Sequence, residues 1–212
     1  MIAGGRVLPV PSWGTKLLST GKAAITVLQQ HGPANLVGVL GDSRCSLFET
    51  GDACKFCMLD GGAKNENRSV EEILEAFELA CTDRSTYNLT LTTSIQASRG
   101  NAVDLVEAVK IIKQRIGASA LAVEVVPFAQ NSQKTLQTLK EAGLDTFMMP
   151  LDCASYEAQR RYLPGKASLL GEIYWENARN AVKIFGRGNV TSSIIVGLEP
   201  FAETLVAIKS DA

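Results

Sequence analysis

The strongest constraint on the fold is a regular alternation of short apolar segments and amphipathic segments from residue 35 onward. Buried parallel strands are apolar along most of their length, and helices connect them outside the sheet. The first amphipathic segment after the cysteines opens with a capping box, because Glu72 follows Ser69 by three residues. The alternation therefore predicts an α/β fold. We expect strands at 35–40, 87–95, 120–128, 146–152 and 190–197. We expect helices at 69–80, 102–116, 132–142, 153–163, about 169–185, and 201–209.

Chain length and composition predict one main domain. A chain of 212 residues that is 46% hydrophobic can bury a substantial core. We divide it into an N-terminal extension, 1–34, and a core domain, 35–212. In the extension we expect a short strand at 6–10 and a helix at 16–30, ended by Gly32-Pro33. Five strands that alternate with helices predict a partial TIM-like (βα) barrel.

Charge and cysteine content exclude several classes of protein. The formal net charge is −1, which does not favour nucleic acid or an acidic membrane surface as a partner. No apolar run approaches the roughly 20 residues of a membrane span, and the N-terminus lacks the layout of a signal peptide. The five cysteines are an odd number and three share one loop, which argues against a disulfide framework. We therefore expect a cytoplasmic location.

The loop after the first strand carries the most informative motif. Eight residues separate Cys45 from Cys54, and two separate Cys54 from Cys57. Three thiolates without a fourth partner suit a metal centre that keeps one position open, such as an iron–sulfur cluster. Two other interpretations fit the same residues. One is a zinc site that recruits Cys81 or Cys153, which requires four protein ligands, and the other is a set of ordinary reduced cysteines.

Polar residues at the carboxyl ends of the predicted strands mark a second candidate feature, because barrel enzymes bind their substrates there. Glu124 interrupts an apolar strand, which is costly unless the carboxylate is paired; its alternative is an exposed place on an edge strand. Thr92, Thr93 and Ser94 end the second strand, where they also suit ordinary strand propensity. Asp152 ends the fourth strand, and its alternative is an N-cap of the next helix.

These residues together resemble the radical S-adenosylmethionine (radical SAM) superfamily, in its biotin synthase-like branch. Phe56 matches the aromatic residue that precedes the last cysteine of that family's motif. The segment 139–145 followed by Pro150-Leu151-Asp152, and the segment 190–198, resemble its third helix, fourth strand and fifth strand. The run 164–167 with Tyr174 and 185–188 is also similar to an uncharacterised bacterial family found beside nitrilase-type genes.

The resemblance implies cofactors and roles. Cys45, Cys54 and Cys57 would bind a [4Fe-4S] cluster, and S-adenosylmethionine would be cleaved to a 5′-deoxyadenosyl radical that abstracts hydrogen from a small-molecule substrate. An electron donor such as flavodoxin or ferredoxin would reduce the cluster. The other implied cofactor-binding residues are Phe56, Ile195 and Gly197 near the adenine, Thr92, Thr93 and Ser94 at the methionine amino group, Glu124 and Asp152 at the ribose or substrate, and Lys166 at the carboxylate.

Three departures from the family pattern keep other functions open. The first cysteine gap is eight residues where three are usual, Thr92-Thr93-Ser94 replaces a Gly-Gly-Glu-like motif, and the usual sixth strand is missing. The barrel is then open on one side, truncated, or completed by a partner chain or a second copy in a homo-oligomer. The alternatives are a non-catalytic, zinc-stabilised α/β binding module and a degenerate radical SAM-like protein that holds a cluster without turnover.

Overall fold

A computed structural model gives the architecture; it describes residues 9–42, 45–57, 67–84, 87–94, 105–128 and 130–210. Two 3-10 helices lie at Ser12–Thr15 and Ala167–Leu169. The other elements are α1 (Ala24–Val27), β1 (Leu28–His31), β2 (Asn35–Val39), β3 (Gly41–Asp42), α2 (Leu47–Thr50), β4 (Asn67–Arg68), α3 (Val70–Ala80), β5 (Asn88–Thr92), α4 (Leu105–Ile116), β6 (Leu121–Glu124), α5 (Ser132–Glu141), β7 (Thr146–Met148), α6 (Tyr156–Tyr162), α7 (Glu172–Phe185), β8 (Val190–Thr191) and α8 (Phe201–Ser210).

The main sheet has the strand order β1-β2-β5-β6-β7-β8. Five strands of this sheet, β2, β5, β6, β7 and β8, are parallel to one another. Each of the five apolar segments predicted from the sequence supplies one of them. On the outside, α3 contacts α4, α4 contacts α5, and α5 contacts α7. Successive helices that neighbour one another over a parallel sheet are typical of a (βα) barrel. The predicted partial TIM-like barrel is therefore confirmed.

Apolar side chains from the strands fill the space between the sheet and these helices. Leu36, Leu89, Leu121 and Phe147 are completely buried. The Phe147 ring also lies 6.0 Å from the ring of Phe185 in α7, measured between centroids. Burial of each such side chain contributes about 1.5–3 kcal/mol to the free energy of folding. This packing holds the carboxyl ends of the strands in a fixed register.

The predicted capping box at the start of α3 is confirmed. The Glu72 N–H donates to the Ser69 hydroxyl at 3.2 Å, and the Glu72 carboxylate accepts from the Ser69 N–H at 3.1 Å. Lys22 contacts the same carboxylate, with 2.9 Å between Lys22 Nζ and Glu72 Oε1. This ion pair links the N-terminal segment to the first helix of the barrel.

The prediction of a helix at 16–30 is wrong. Only Ala24–Val27 is helical, and Leu28–His31 forms β1, which pairs with β2 in an antiparallel register. Leu28 is fully buried opposite Gly38, where a Cβ would lie 2.7 Å from Leu28 Cδ2. Pairing with β2 and burial of Leu28 therefore override the local helix propensity. Most of the strand predicted at 6–10 lies outside the described residues.

Candidate active site at the carboxyl ends of the strands

The cysteine loop contains one turn of helix that accounts for its long first gap. Helix α2 occupies residues 47–50 between Cys45 and Cys54, and it ends at Gly51, which has a φ of 79°. The Phe48 N–H donates to the Cys45 carbonyl at 3.1 Å, and the Cys57 N–H donates to the Cys54 carbonyl at 3.0 Å. The turn shortens the path between the first two cysteines, so that all three border the same cavity.

This cavity brings together most of the residues predicted to form the site. They are Cys45, Cys54, Phe56, Cys57, Thr92, Thr93, Ser94, Glu124 and Lys166. The sheet register explains the meeting of two of them, because Thr92 pairs with Glu124 across β5 and β6. The carboxyl ends of parallel strands lie at one edge of the sheet, so side chains distant in sequence converge there.

Five further lining residues were given no role in the site by the sequence analysis. They are Phe48, Ala53, Val125, Val126 and Pro150. Each is apolar or lacks a side-chain donor, and therefore nothing in its chemistry distinguishes it from a core residue. Together with Phe56 they give the cavity an apolar part beside its thiols and hydroxyls, which is the usual composition of a small-molecule site.

Ile195, Gly197 and Asp152 stand apart from the lining of this cavity. Gly197 is exposed with a φ of 105°, and Ile195 contributes a backbone contact, its N–H donating to the Asp152 carbonyl at 2.8 Å. Asp152 is buried and lies behind Lys166, with 3.3 Å between Asp152 Oδ2 and Lys166 Nζ. Asp152 thus contacts the cavity through Lys166, and its charge adds to burial in raising the pKa values of Cys54 and Glu124.

Lys166 is the cation that faces the thiols. Burial alone lowers the pKa of its ammonium, but Asp152 and Cys54 together outweigh burial and raise the pKa above the ordinary value. Burial also raises the pKa of the Cys54 thiol, and Lys166 opposes this increase only in part. A fixed ammonium beside the thiols gives the cavity a binding point for a carboxylate.

In the part of the chain that the structure describes, no three His, Cys, Asp or Glu side chains lie close enough to hold a metal ion. The three thiols share the cavity without converging to ligand spacing. Their number and chemistry nevertheless fit a cluster with three protein ligands, because thiolates are the ligands of iron–sulfur clusters. All five cysteines are free of disulfides.

The geometry weighs against the zinc alternative. Cys81 is the C-cap of α3 and does not line the cavity. Cys153 is fully buried, and burial together with Glu199, Asp152 and Cys54 raises the pKa of its thiol to about 12. Neither Cys81 nor Cys153 lines the cavity that the three other thiols share, and neither therefore provides a ready fourth ligand.

The connection from α6 to α7 holds the cysteine loop in place. The Gly165 N–H donates to the Asp52 carbonyl at 3.0 Å, and the Lys55 N–H donates to the Tyr162 carbonyl at 2.9 Å. A Cβ at Gly165 would lie 2.8 Å from the Asp52 carbonyl oxygen and 2.6 Å from Leu47 Cδ2. The close approach of the two loops therefore requires glycine at this position, immediately before Lys166.

Asp152 lies in a strained turn that a second carboxylate supports. Its φ of 63° is in the left-handed region, which side chains other than glycine rarely adopt. Just beyond it, the buried Glu199 carboxylate accepts the N–H groups of Ala154 at 2.8 Å and Ser155 at 2.7 Å. Ser155 is the N-cap of α6, so the alternative in which Asp152 caps this helix is wrong. Glu199 lies 45 residues from Ala154, and no local sequence pattern indicates the contact.

We expect Glu199→Ala to destabilise the fold by about 1–3 kcal/mol, because it leaves the partly buried N–H groups of Ala154 and Ser155 without an acceptor. Burial alone raises the pKa of Glu199, but the bonds from Ala154 and Ser155 outweigh it and lower the pKa below its ordinary value of 4.5. The carboxylate therefore stabilises the protein above pH 4.5, and this contribution is lost as the pH falls through the folded-state pKa. Urea unfolding at neutral and acidic pH measures both effects. The exposed Glu203→Ala is the control, and an equal loss in both variants would contradict the assignment.

Glu124 is predicted to have the opposite pH dependence. Strands β5 and β7 flank β6, so the edge-strand alternative is wrong, and burial followed by Asp152 raises the Glu124 pKa above its ordinary 4.5. The folded protein then binds this proton more tightly than the unfolded chain, and stability decreases as the pH rises from 4.5 through the folded-state pKa. We expect Glu124→Gln to lack this decrease in urea unfolding. Parallel pH profiles for the two proteins would exclude a role for this carboxyl.

The fold and the cavity define a class of protein: a partial (βα) barrel with its polar groups and thiols at the carboxyl ends of the strands. Residues 44–209 match the family model described as the Radical SAM superfamily, and the chain belongs to this superfamily. The membership predicted from the sequence is confirmed. No curated protein sequence matches the chain.

Solved structures of low sequence identity share this fold. HydG, a maturase of the [FeFe]-hydrogenase, superposes with a TM-score of 0.63 and 15% identity, covering 84% of this chain and 38% of HydG. HydG from Carboxydothermus hydrogenoformans superposes with a TM-score of 0.64 and 16% identity, covering 84% of this chain and 40% of that protein. Methylornithine synthase (PylB) superposes with a TM-score of 0.58 and 18% identity, covering 84% of this chain and 49% of PylB. The chain thus spans less than half the length of these proteins.

No helix among the described residues is both long and apolar enough to cross a membrane.

Proposed function

We propose that this chain is a radical SAM enzyme that holds a [4Fe-4S] cluster on Cys45, Cys54 and Cys57 and acts on a small molecule. The observation that carries the proposal is the single cavity that the three thiols share with Lys166 and the ends of β5 and β6. When bound, the cluster would supply an electron that cleaves S-adenosylmethionine to methionine and a 5′-deoxyadenosyl radical.

The chain's own residues would bind and orient the cofactor. Lys166 would pair with the carboxylate of S-adenosylmethionine, and its ion pair with Asp152 would hold the ammonium in position. The backbone carbonyls or hydroxyls of Thr92, Thr93 and Ser94 would accept hydrogen bonds from the amino group, in place of the family's Gly-Gly-Glu-like motif. Phe56 would contact the adenine, and Glu124 the ribose or substrate. Ile195 would act through its backbone hydrogen bond to Asp152, and Gly197 belongs to the same segment.

Several further properties belong to the same proposal. Residues 35–212 would form the catalytic core and 1–34 an extension. The protein would receive electrons from a donor such as flavodoxin or ferredoxin. Free thiols and a cluster both suit a reducing cytoplasm.

Anaerobic reconstitution with iron and sulfide tests the proposal. We expect about four irons per chain and an EPR signal of the reduced protein that changes when S-adenosylmethionine is added. Reductive cleavage of S-adenosylmethionine, measured as 5′-deoxyadenosine, then separates an active enzyme from a degenerate cluster-binding protein. A colourless protein that carries tightly bound zinc would contradict the cluster.

A further inference from the structure

A second cavity lies away from the candidate active site, between α7 and β8. It has a volume of about 460 Å³, within the range of ligand and side-chain pockets. Trp175, Ala178 and Val182 of α7 form one wall, and residues 190–192 form the other. The Tyr174 hydroxyl donates to Ser192 Oγ at 2.8 Å and its ring contacts the Trp175 ring edge to face, which fixes this wall. We call this cavity the α7–β8 groove.

The outer edge of β8 borders this groove. The carbonyls of Asn189, Thr191 and Ser193 accept N–H groups from β7 and the segment that follows it. Backbone groups alternate in direction along a strand, so those of Val190 and Ser192 point away from β7. No other strand in the described ranges pairs with this side of β8. An edge of this kind, next to an apolar groove, is a surface on which another polypeptide can pair.

The exposed face of α7 indicates which polypeptide binds this surface. Glu172, Glu176, Arg179 and Lys183 recur at helical spacing along one stripe, and all four are exposed. None of them makes an ion pair with another described residue. The N-terminal half of the stripe is acidic and the C-terminal half is basic. We call these four residues the α7 charge stripe.

This stripe is complementary to itself. When two copies of α7 lie antiparallel about a two-fold axis, Glu176 faces Arg179 of the other copy, and Glu172 faces Lys183. Both pairs are centred on the same point of the helix, between Asn177 and Ala178, so one axis satisfies all four charges. Isologous two-fold contacts are the commonest way in which soluble proteins form dimers.

We propose that the α7–β8 face is the interface of a symmetric dimer of this chain. The α7 charge stripes of the two copies pair across the axis, and the exposed apolar side chains beside them fill each other's grooves. Val182, which is 39% exposed in the single chain, becomes buried in this arrangement. The proposal concerns a surface outside the candidate active site and does not depend on the proposed radical chemistry.

Charge reversal and charge exchange test the interface. Sedimentation velocity over a range of concentrations should show a monomer–dimer equilibrium for the wild type that weakens at high salt. Glu176→Arg places like charges opposite Arg179 and should raise the dissociation constant about tenfold or more. The exchange variant, Glu176→Arg with Arg179→Glu, restores opposite charges and should recover most of the dimer. Glu71→Arg, an exposed reversal on α3, should leave the equilibrium unchanged.

Thermal unfolding of each variant separates an interface effect from misfolding, because these exposed substitutions should retain the folded monomer. A wild type that is monomeric at every concentration would overturn the proposal. The same holds if the exchange variant dissociates as much as Glu176→Arg, or if Glu71→Arg dissociates equally. Binding of another protein or ligand to the groove of a purely monomeric chain would assign this face a different role and also overturn the dimer.

Discussion

Cys54→Ala should lose the cluster completely, with iron falling from about four per chain to background after anaerobic reconstitution. Cys54 is the middle ligand of the proposed set and is 91% buried, so neither bulk water nor a neighbouring carboxylate can replace it easily. A cluster left with two protein thiolates has two poorly held irons. The EPR signal of the reduced protein, and its change with S-adenosylmethionine, should disappear together.

Two other cysteine variants are the controls for this experiment. Cys81→Ala changes a thiol at the end of α3, outside the cavity, and should retain full iron content. Cys153→Ala should also retain iron, whereas a zinc site that recruits Cys153 would lose its metal. Because a buried cysteine packs as a small apolar side chain, all three variants should remain folded. Full iron binding by Cys54→Ala would contradict the proposed ligand set.

Gly165→Ala should have the second largest effect, although it adds only a methyl group. The new Cβ would lie 2.8 Å from a backbone oxygen, that of Asp52, which cannot move without displacing the cysteine loop. Overpacking of this kind costs about 1–3 kcal/mol. We expect a lower midpoint of urea unfolding and a reduced iron content, because the loop that carries Cys54 and the turn that carries Lys166 are forced apart.

A matched substitution and a compensating one sharpen this test. Ser168→Ala, at an exposed position of the same connection, should leave stability and iron content unchanged. Leu47→Ala combined with Gly165→Ala removes the 2.6 Å contact with Leu47 but not the contact with Asp52. The double variant should therefore recover only part of the lost iron content. Wild-type behaviour of Gly165→Ala would mean that the two loops do not need this close approach.

Elements with strong local signals were predictable from the sequence. The Ser69–Glu72 capping box involves residues three positions apart, and both of its hydrogen bonds are present. The parallel strands were predictable because each is an apolar run bounded by turn residues. The helix predicted at 16–30 includes most of β1, because the strand conformation of β1 depends on β2, which begins only after a turn and buries Leu28 opposite Gly38.

Within the site, too, residues with a local sequence signal were predictable and those that depend on distant contacts were not. Strand-end residues such as Thr92 and Glu124 were predictable, since the ends of parallel strands must meet. Ile195 and Gly197 were expected beside the cofactor from family resemblance, but the structure gives them no part in the cavity lining. Glu199 received no role from the sequence, because its partners at the start of α6 depend on how the loop after β8 returns to the sheet.

By itself, the sequence determined the strand–helix alternation, the three-cysteine loop and the polar residues that interrupt apolar strands. These features arise from interactions between residues a few positions apart, or from the chemistry of single side chains. Only the tertiary structure decided that Lys166 faces the thiols, that Asp152 lies behind it, and that Gly165 lets the two loops approach. Such contacts join residues 14 to more than 100 positions apart, and the order and register of the strands determine which of them form.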